Sequence, residues 1–333
     1  MKKLFFVFLC CVTALGLYAK GQTEAVSEDD YVLKIAYGTP AGLCSAPLFI
    51  AEDKGFYKEE GLKFEAVRID SSQVPQLLTS GTVDVASTLI TSLILPLANG
   101  LDVKIPLAVH TGCIKALAAP ASDIRTPADL KGKRIGVGGM GATPTIIIQR
   151  YLAELGISTV APDIEVTWVI FPTTELPLAL ERGQVDAIGI NDPVALILEN
   201  SGKGRVIINT TSDPEMKDEF CCVLVSGSKA AEAHPEALAK MTRAIQKACR
   251  WVRENPGETA RILEEKKYVA GDPKVNAEVL STYNWNSSVS AARVALSNNL
   301  GDLQKIGLVP PGANVEAIVN NTFLSLPGVP DKL

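Results

Sequence analysis

One short phrase occurs once in each half of this chain and constrains its fold more than any other feature. Leu78-Thr79-Ser80-Gly81-Thr82-Val83-Asp84-Val85-Ala86 returns as Leu180-Glu181-Arg182-Gly183-Gln184-Val185-Asp186-Ala187-Ile188, a shared L-x-x-G-x-V-D. Each copy reads as a helix whose last turn closes at Gly, which takes the left-handed C′ conformation without a Cβ clash. A short apolar strand follows. Two copies predict two α/β lobes of similar build, and two facing lobes enclose a cleft. The plainer alternative is a chance repeat of a common helix–strand junction.

The surrounding pattern supports the lobes. Strands are expected at Val32 to Tyr37, Lys63 to Arg68, Val83 to Ser87 and Val103 to Val109, with helices at Pro47 to Asp53, Val74 to Thr79 and Thr91 to Ala98 between them. Such alternation implies βαβ units and a mostly parallel sheet. It restarts after Pro120, with strands at Lys133 to Val137, Ile164 to Ile170, Val185 to Ile190, Arg205 to Ile208 and Phe220 to Val225. Thr143 reads as the cap of a helix running to about Leu155, with Pro144 at its first position. From Lys229 onward nearly everything reads as helix.

Met1-Lys2-Lys3, the apolar Leu4 to Leu17 and the small Ala19 form a secretory signal peptide, residues 1–19, followed by a flexible tether, 20–30. The mature chain is therefore expected in the periplasm or another extracytoplasmic space. Cys10 and Cys11 lie deep in the apolar run, and a lipid anchor there is the alternative to simple cleavage. Loss of Lys2 and Lys3 lowers the 32 basic residues to 30 against 37 acidic ones. This mild acidity without basic runs gives no support for a nucleic-acid partner. Five cysteines remain, Cys44, Cys113, Cys221, Cys222 and Cys249; the odd number leaves at least one thiol free.

The segment Ala46-Pro47-Leu48-Phe49-Ile50-Ala51-Glu52-Asp53-Lys54-Gly55-Phe56-Tyr57-Lys58-Glu59-Glu60-Gly61-Leu62 resembles the first-lobe signature of solute-binding proteins of ABC importers. The branch is the one handling nitrate, taurine, alkanesulfonates and thiamine-precursor pyrimidines. The two repeated phrases, Thr126 to Val137 and His234-Pro235-Glu236-Ala237-Leu238 follow in the family's order, so the resemblance spans about Val32 to Leu238. It implies an α/β, two-lobed type II periplasmic binding fold, with two crossing strands and helical C-terminal cladding. The crossings are expected at Thr111 to Ala119 and Glu219 to Val225, making lobe one 31–118 plus 222–333 and lobe two 119–221. The implied partners are a small organic molecule and an ABC importer permease, with membrane contact only through the permease or a lipid anchor. Alternatives on the same fold are a pyrimidine-synthase-like enzyme and a sensory binding protein.

In open α/β sheets, ligands sit beyond the carboxyl ends of strands, where helix N-termini expose unpaired N–H groups. Four junctions qualify. The first supplies Thr39, Cys44 and Ser45, and the second Ser87, Thr88 and Thr91. The loop Gly138-Gly139-Met140-Gly141-Ala142-Thr143 supplies Gly139, Gly141, Ala142 and Thr143, and the last junction supplies Asp192. Gly136 to Gly141 satisfies G-x-G-x-x-G, but the following strand lacks a terminal acidic residue for a ribose, so the loop reads as a backbone nest for a polar group. Phe171 or Trp168 offers aromatic stacking. Arg68 and Arg125 lie near lobe edges, so no fixed cation is expected in the cleft. That favours a neutral or partly cationic, heteroaromatic solute over a bare inorganic anion.

The thiols are unusually placed. In the implied fold Cys44, Cys113 and Cys221-Cys222 converge on the cleft floor, with His110 nearby. Packing, a disulfide and contact with a ligand or metal all remain open readings. Cys113 is carried as a ligand-contact candidate. No C-x-x-C or H-x-x-x-H spacing marks a metal site, and neither a metal nor a cofactor is assigned. No catalytic set is assigned either. His110 beside Cys113 is the sole candidate pair, and the pyrimidine-synthase relatives pair a cysteine-rich stretch with an active-site histidine.

Overall fold

The computed structural model describes residues 30–38, 41–70 and 73–333. The signal peptide and nearly all of the expected tether, together with Thr39, lie outside the described residues. Among the described residues, ten strands build two sheets. The first contains β1 (Val32–Gly38), β2 (Lys63–Ile69), β3 (Val85–Leu89), β4 (Val103–Thr111) and β10 (Phe220–Gly227), ordered β2-β1-β3-β10-β4. The second contains β5 (Ile114–Ala118), β6 (Arg134–Val137), β7 (Thr167–Ile170), β8 (Ala187–Asn191) and β9 (Arg205–Asn209), ordered β7-β6-β8-β5-β9. The two orders are the same topology. In each sheet the parallel strands receive one antiparallel strand, β10 between β3 and β4, or β5 between β8 and β9.

This pairing moves two expected boundaries. Residues 31–118 are expected in lobe one, but β5 hydrogen bonds to β8 and β9 and is part of the second sheet. Similarly, β10 already starts at Phe220 in the first sheet, two residues before the expected return at 222. Only Gly112 and Cys113 separate β4 from the run 114–118, so hydrophobicity alone could not reveal the change of sheet.

The repeated phrase has one job in both sheets. Its glycines, Gly81 and Gly183, sit at φ +72° and +66° just past the helices Val74–Ser80 and Leu176–Glu181. Its aspartates then lock the following strand to its neighbour. The Asp84 N–H donates to the Lys34 carbonyl at 2.9 Å, and its carboxylate accepts from the Lys34 N–H at 2.8 Å. Asp186 does the same with Arg134, at 2.8 Å in both directions. A side chain that reads as one more strand residue is thus a register clamp for β1/β3 and β6/β8.

Helices cover the sheets as the apolar spacing directs. The helix Pro235–Glu254 buries Ala237, Leu238, Met241, Ala244, Ile245, Ala248, Cys249 and Val252, a stripe at three- and four-residue intervals. It packs on the helix Ala46–Asp53, whose first six residues are all buried. The tail also returns to the sheet, where Asn284 and Ser288 bridge Thr111 and Ala108 of β4. Among the described residues no helix is long and apolar enough to cross a membrane.

The lobes are tied by a buried cation. Arg150, on the second-lobe helix Thr143–Glu154, bonds Glu219 at 2.6 Å and Asp302 at 2.7 Å. Asp302 and a further partner, Asn299, belong to the helix Val289–Lys305, which packs on β4 and β10. Removing one member of such a network leaves uncompensated buried charge, typically costing about 3–5 kcal/mol. We therefore expect Arg150→Ala to lower stability by about that amount in chemical denaturation. Arg150→Ala together with Glu219→Gln and Asp302→Asn should recover part of the loss.

Candidate functional site

The carboxyl ends of β1 and β3 face those of β6 and β8 across the space between the lobes. Ser87 and Thr88 form the half-buried end of β3 rather than a loop, and Thr91 begins the helix Thr91–Ala98. On the opposite side the helix Thr143–Glu154 begins, and here the sequence expectation needs correction. Thr143 is not the cap: Ala142 occupies that position in extended conformation, and Thr143 is the first helical residue. Its hydroxyl is 2.6 Å from that of Thr91, so the two helix starts meet across the lobes. The hydroxyl is committed to that contact.

The glycine loop is shaped from within. The Gly139 carbonyl accepts from the Ala142 N–H at 3.1 Å and from the Thr145 hydroxyl at 2.6 Å. Ala142 therefore spends its amide inside the loop, contrary to its expected role as a ligand donor. Gly138, Met140 and Gly141 are exposed, and Gly139 is half-buried. A Cβ on Gly138 would lie 2.7 Å from the Thr173 hydroxyl, so glycine there allows two loops to pack closely.

Phe171 follows β7, half-buried against the lobe-two core. Trp168, the other stacking candidate, donates its indole N–H to the Thr159 carbonyl at 3.3 Å and packs against core residues. It is a packing residue. Asp192 accepts from the Leu196 N–H at 3.1 Å at the start of the helix Val194–Asn200, with its side chain only 1% exposed. Lys115 lies 3.8 Å from it, which corrects the expectation that no fixed cation sits here. The Lys115 ammonium, however, bonds Glu199 at 2.7 Å. A lysine in the middle of the apolar run 114–118 was the available signal. Burial pushes the Asp192 carboxyl up to about 6, against the opposing pull of Lys115.

Four thiols converge where β4 passes into β5 beside β10. Cys44 occupies a one-turn helix, Leu43–Ser45, and is half-buried rather than on an open loop; Ser45 is half-buried beside it. Cys113 lies in the two-residue step from β4 to β5, and Cys221 and Cys222 lie in β10. The sulfurs of Cys44, Cys113 and Cys222 are within 4.8 Å of one another. Cys221 is 3.3 Å from Cys113 and 3.7 Å from Cys222, sulfur to sulfur, and all these cysteines are free thiols. Burial opposes ionisation of Cys221, yet its hydrogen bonds with Cys113 and Cys222 outweigh it and bring that thiol down to about 7. Its bond with Cys221 pushes Cys113 up to about 11.

Aromatic rings close the floor from behind. His110 is fully buried, stacked on Tyr283 at 4.8 Å and tilted against Trp285 at 4.6 Å. Its Nδ1 lies 4.0 Å from the Cys221 sulfur. His110 Nε2 and the Tyr283 hydroxyl are buried without a hydrogen-bond partner among the described residues. Tyr283 and Trp285 come from the helical tail, which no local motif connects with the cleft.

A family model described as NMT1/THI5 like matches residues 44–259, and the chain belongs to that family. A Bacillus subtilis protein named for aliphatic-sulfonate binding is 27% identical over 97% of this chain and 96% of its own length. The 4-amino-5-hydroxymethyl-2-methylpyrimidine phosphate synthase of Aspergillus parasiticus is 26% identical over 70% of each chain. Among solved structures, the alkanesulfonate-binding protein SsuA of Xanthomonas axonopodis pv. citri, bound to MOPS, superposes with a TM-score of 0.67 at 20% identity. It covers 86% of this chain and 96% of that one, and shows the shared periplasmic-binding fold.

Asp192 yields a pH prediction. A carboxyl whose folded pKa is raised from 3.8 to about 6 is more stable protonated. Its contribution is full below about pH 4 and is lost as pH rises through about 6, a swing of about 2–3 kcal/mol. Denaturation at a series of pH values should show this decline in the native protein, and Asp192→Asn should remove that part of the slope.

Proposed function

We propose that the protein is the exported solute-binding component of an ABC importer, capturing a small organic molecule between its lobes and presenting it to the permease. The observation that carries this reading is the opposition of two helix starts, Thr91 and Thr143, on separate lobes across one cleft. Family membership and the near full-length match to the Bacillus subtilis relative support it. In this reading the unit carrying β1–β4 and β10 and the unit carrying β5–β9 close as two bodies about the crossings, each contributing contacts made only in the closed state.

For the solute, we infer contacts from Ser45, Ser87, Thr88, Gly139, Gly141 and Phe171, with Cys44 and Cys113 at the floor. Thr39 belongs to the same proposal from its place in the sequence. Thr91, Thr143, Ala142 and Asp192 shape the site, their polar groups being used within the protein. Lys115 is neutralised by Glu199, which favours a neutral or partly cationic heteroaromatic solute over a simple inorganic anion. An enzymatic second reading rests on the His110–Cys221 approach at 4.0 Å and on the Aspergillus parasiticus relative.

Native mass spectrometry of freshly purified protein should reveal a bound small organic molecule, recovered chemically unchanged. Calorimetry with that molecule should show Ser87→Ala and Thr88→Val each weakening binding about tenfold, the loss of one good hydrogen bond at ~1.4 kcal/mol. Consumption or covalent modification of the molecule by the protein would favour the enzyme.

A further inference from the structure

Solute capture by hinge closure has no need of four thiols, yet three separate stretches of chain deliver them to one point. Cys44 comes from the one-turn helix Leu43–Ser45 of lobe one, Cys113 from the first crossing, and Cys221 and Cys222 from the return strand. Apolar packing alone would be served by alanine or valine. Two observations suggest more than packing. Cys113 holds φ +90°, a conformation unfavourable for a residue with a side chain, and this turn accompanies a sulfur placed among the other three. The buried His110 Nε2 and Tyr283 hydroxyl also lack partners among the described residues. Unsatisfied buried polar atoms call for an explanation, and a bound ion is one.

The spacing identifies what kind. Three sulfurs about 4 Å apart place a central ion about 2.3 Å from each, the length of a metal–thiolate bond. The sulfurs of Cys44, Cys113 and Cys222 all lie within 4.8 Å of one another, so only small side-chain rotations separate them from that triangle. Cys221 stands 3.3 Å and 3.7 Å from two of its corners, in position to supply a fourth sulfur. The donor set is sulfur, with imidazole at its edge: His110 lies within 4.8 Å of Cys221 and Cys222. Asp192, a carboxylate whose charge reaches Cys44, is engaged by the Leu196 N–H and by Lys115. Such a set selects soft, thiophilic ions over magnesium, calcium or manganese.

We propose that Cys44, Cys113 and Cys222, with Cys221 as the fourth sulfur, form a binding site for one thiophilic d10 cation, Cu(I) or Zn(II), at the floor of the cleft. Each thiol that ligates releases its proton to solvent as the metal–sulfur bond forms, without change of oxidation state. Cys44 and Cys221 are the half-buried members of the cluster, and His110, stacked among Tyr283 and Trp285, lies beside Cys221.

The test uses the mature protein, reduced and handled without oxygen, and titrated with Cu(I) or Zn(II) against a chromophoric chelator. One equivalent of either ion should be retained, and X-ray absorption should report sulfur neighbours near 2.3 Å. Cys44→Ser and Cys222→Ser should each weaken retention at least about 100-fold, while Cys249→Ala, a core thiol outside the cluster, should not. Thermal melts monitored by circular dichroism identify a variant that fails to fold, in which case Cys44→Ala replaces it. Absence of retention by the reduced native protein would overturn the proposal, as would retention undiminished in both serine variants or coordination by oxygen and nitrogen alone. Solute calorimetry repeated with chelator present separates the two readings: unchanged affinity leaves the carrier intact whatever becomes of the metal.

Discussion

The structure depends above all on the insertion of one antiparallel strand into each parallel sheet. β10 enters between β3 and β4, and β5 enters between β8 and β9. Each inserted strand arrives directly from a crossing, so the backbone ladders that complete one sheet also hold it against the other. The first crossing takes only two residues, Gly112 and Cys113, both with positive φ. A Cβ on Gly112 would meet the Thr211 hydroxyl at 2.7 Å, so the step admits glycine and little else without rearrangement. A short, tightly packed crossing brings the carboxyl ends of both sheets together, and this creates the cleft.

From that constraint the chemistry of the floor follows. β10 places Cys221 and Cys222 beside His110 of β4, and the turn at Cys113 adds a third sulfur from the adjoining crossing. Burial then decides their acid–base behaviour. Cys113 is held protonated while Cys221 is eased toward the thiolate by its bonds with the neighbouring thiols. Charges elsewhere near the hinge are compensated rather than free. Arg150 is neutralised by Glu219 and Asp302, and Lys115 by Glu199, so both stabilise the lobes without offering a cation to a ligand.

The sequence by itself determined the local elements and their repetition. Gly81 and Gly183 end helices because glycine takes the left-handed turn without a Cβ clash, and alternating apolar segments placed most strands and helices correctly, with Thr91–Ala98 matched to the residue. The L-x-x-G-x-V-D phrase announced two similar lobes, although the clamp made by Asp84 and Asp186 became visible only with the neighbouring strand present. What only the tertiary structure decided are the relations that local periodicity does not encode. An apolar strand looks the same whichever sheet accepts it, so β5 could not be assigned from its residues. Thr143 looks like a cap in sequence, and only the approach of Thr91 shows its hydroxyl turned to the other lobe. Tyr283, Trp285 and Lys115 are part of the site because long-range packing brings them there, and burial, which no short window of sequence reports, sets what their charges and hydroxyls can do.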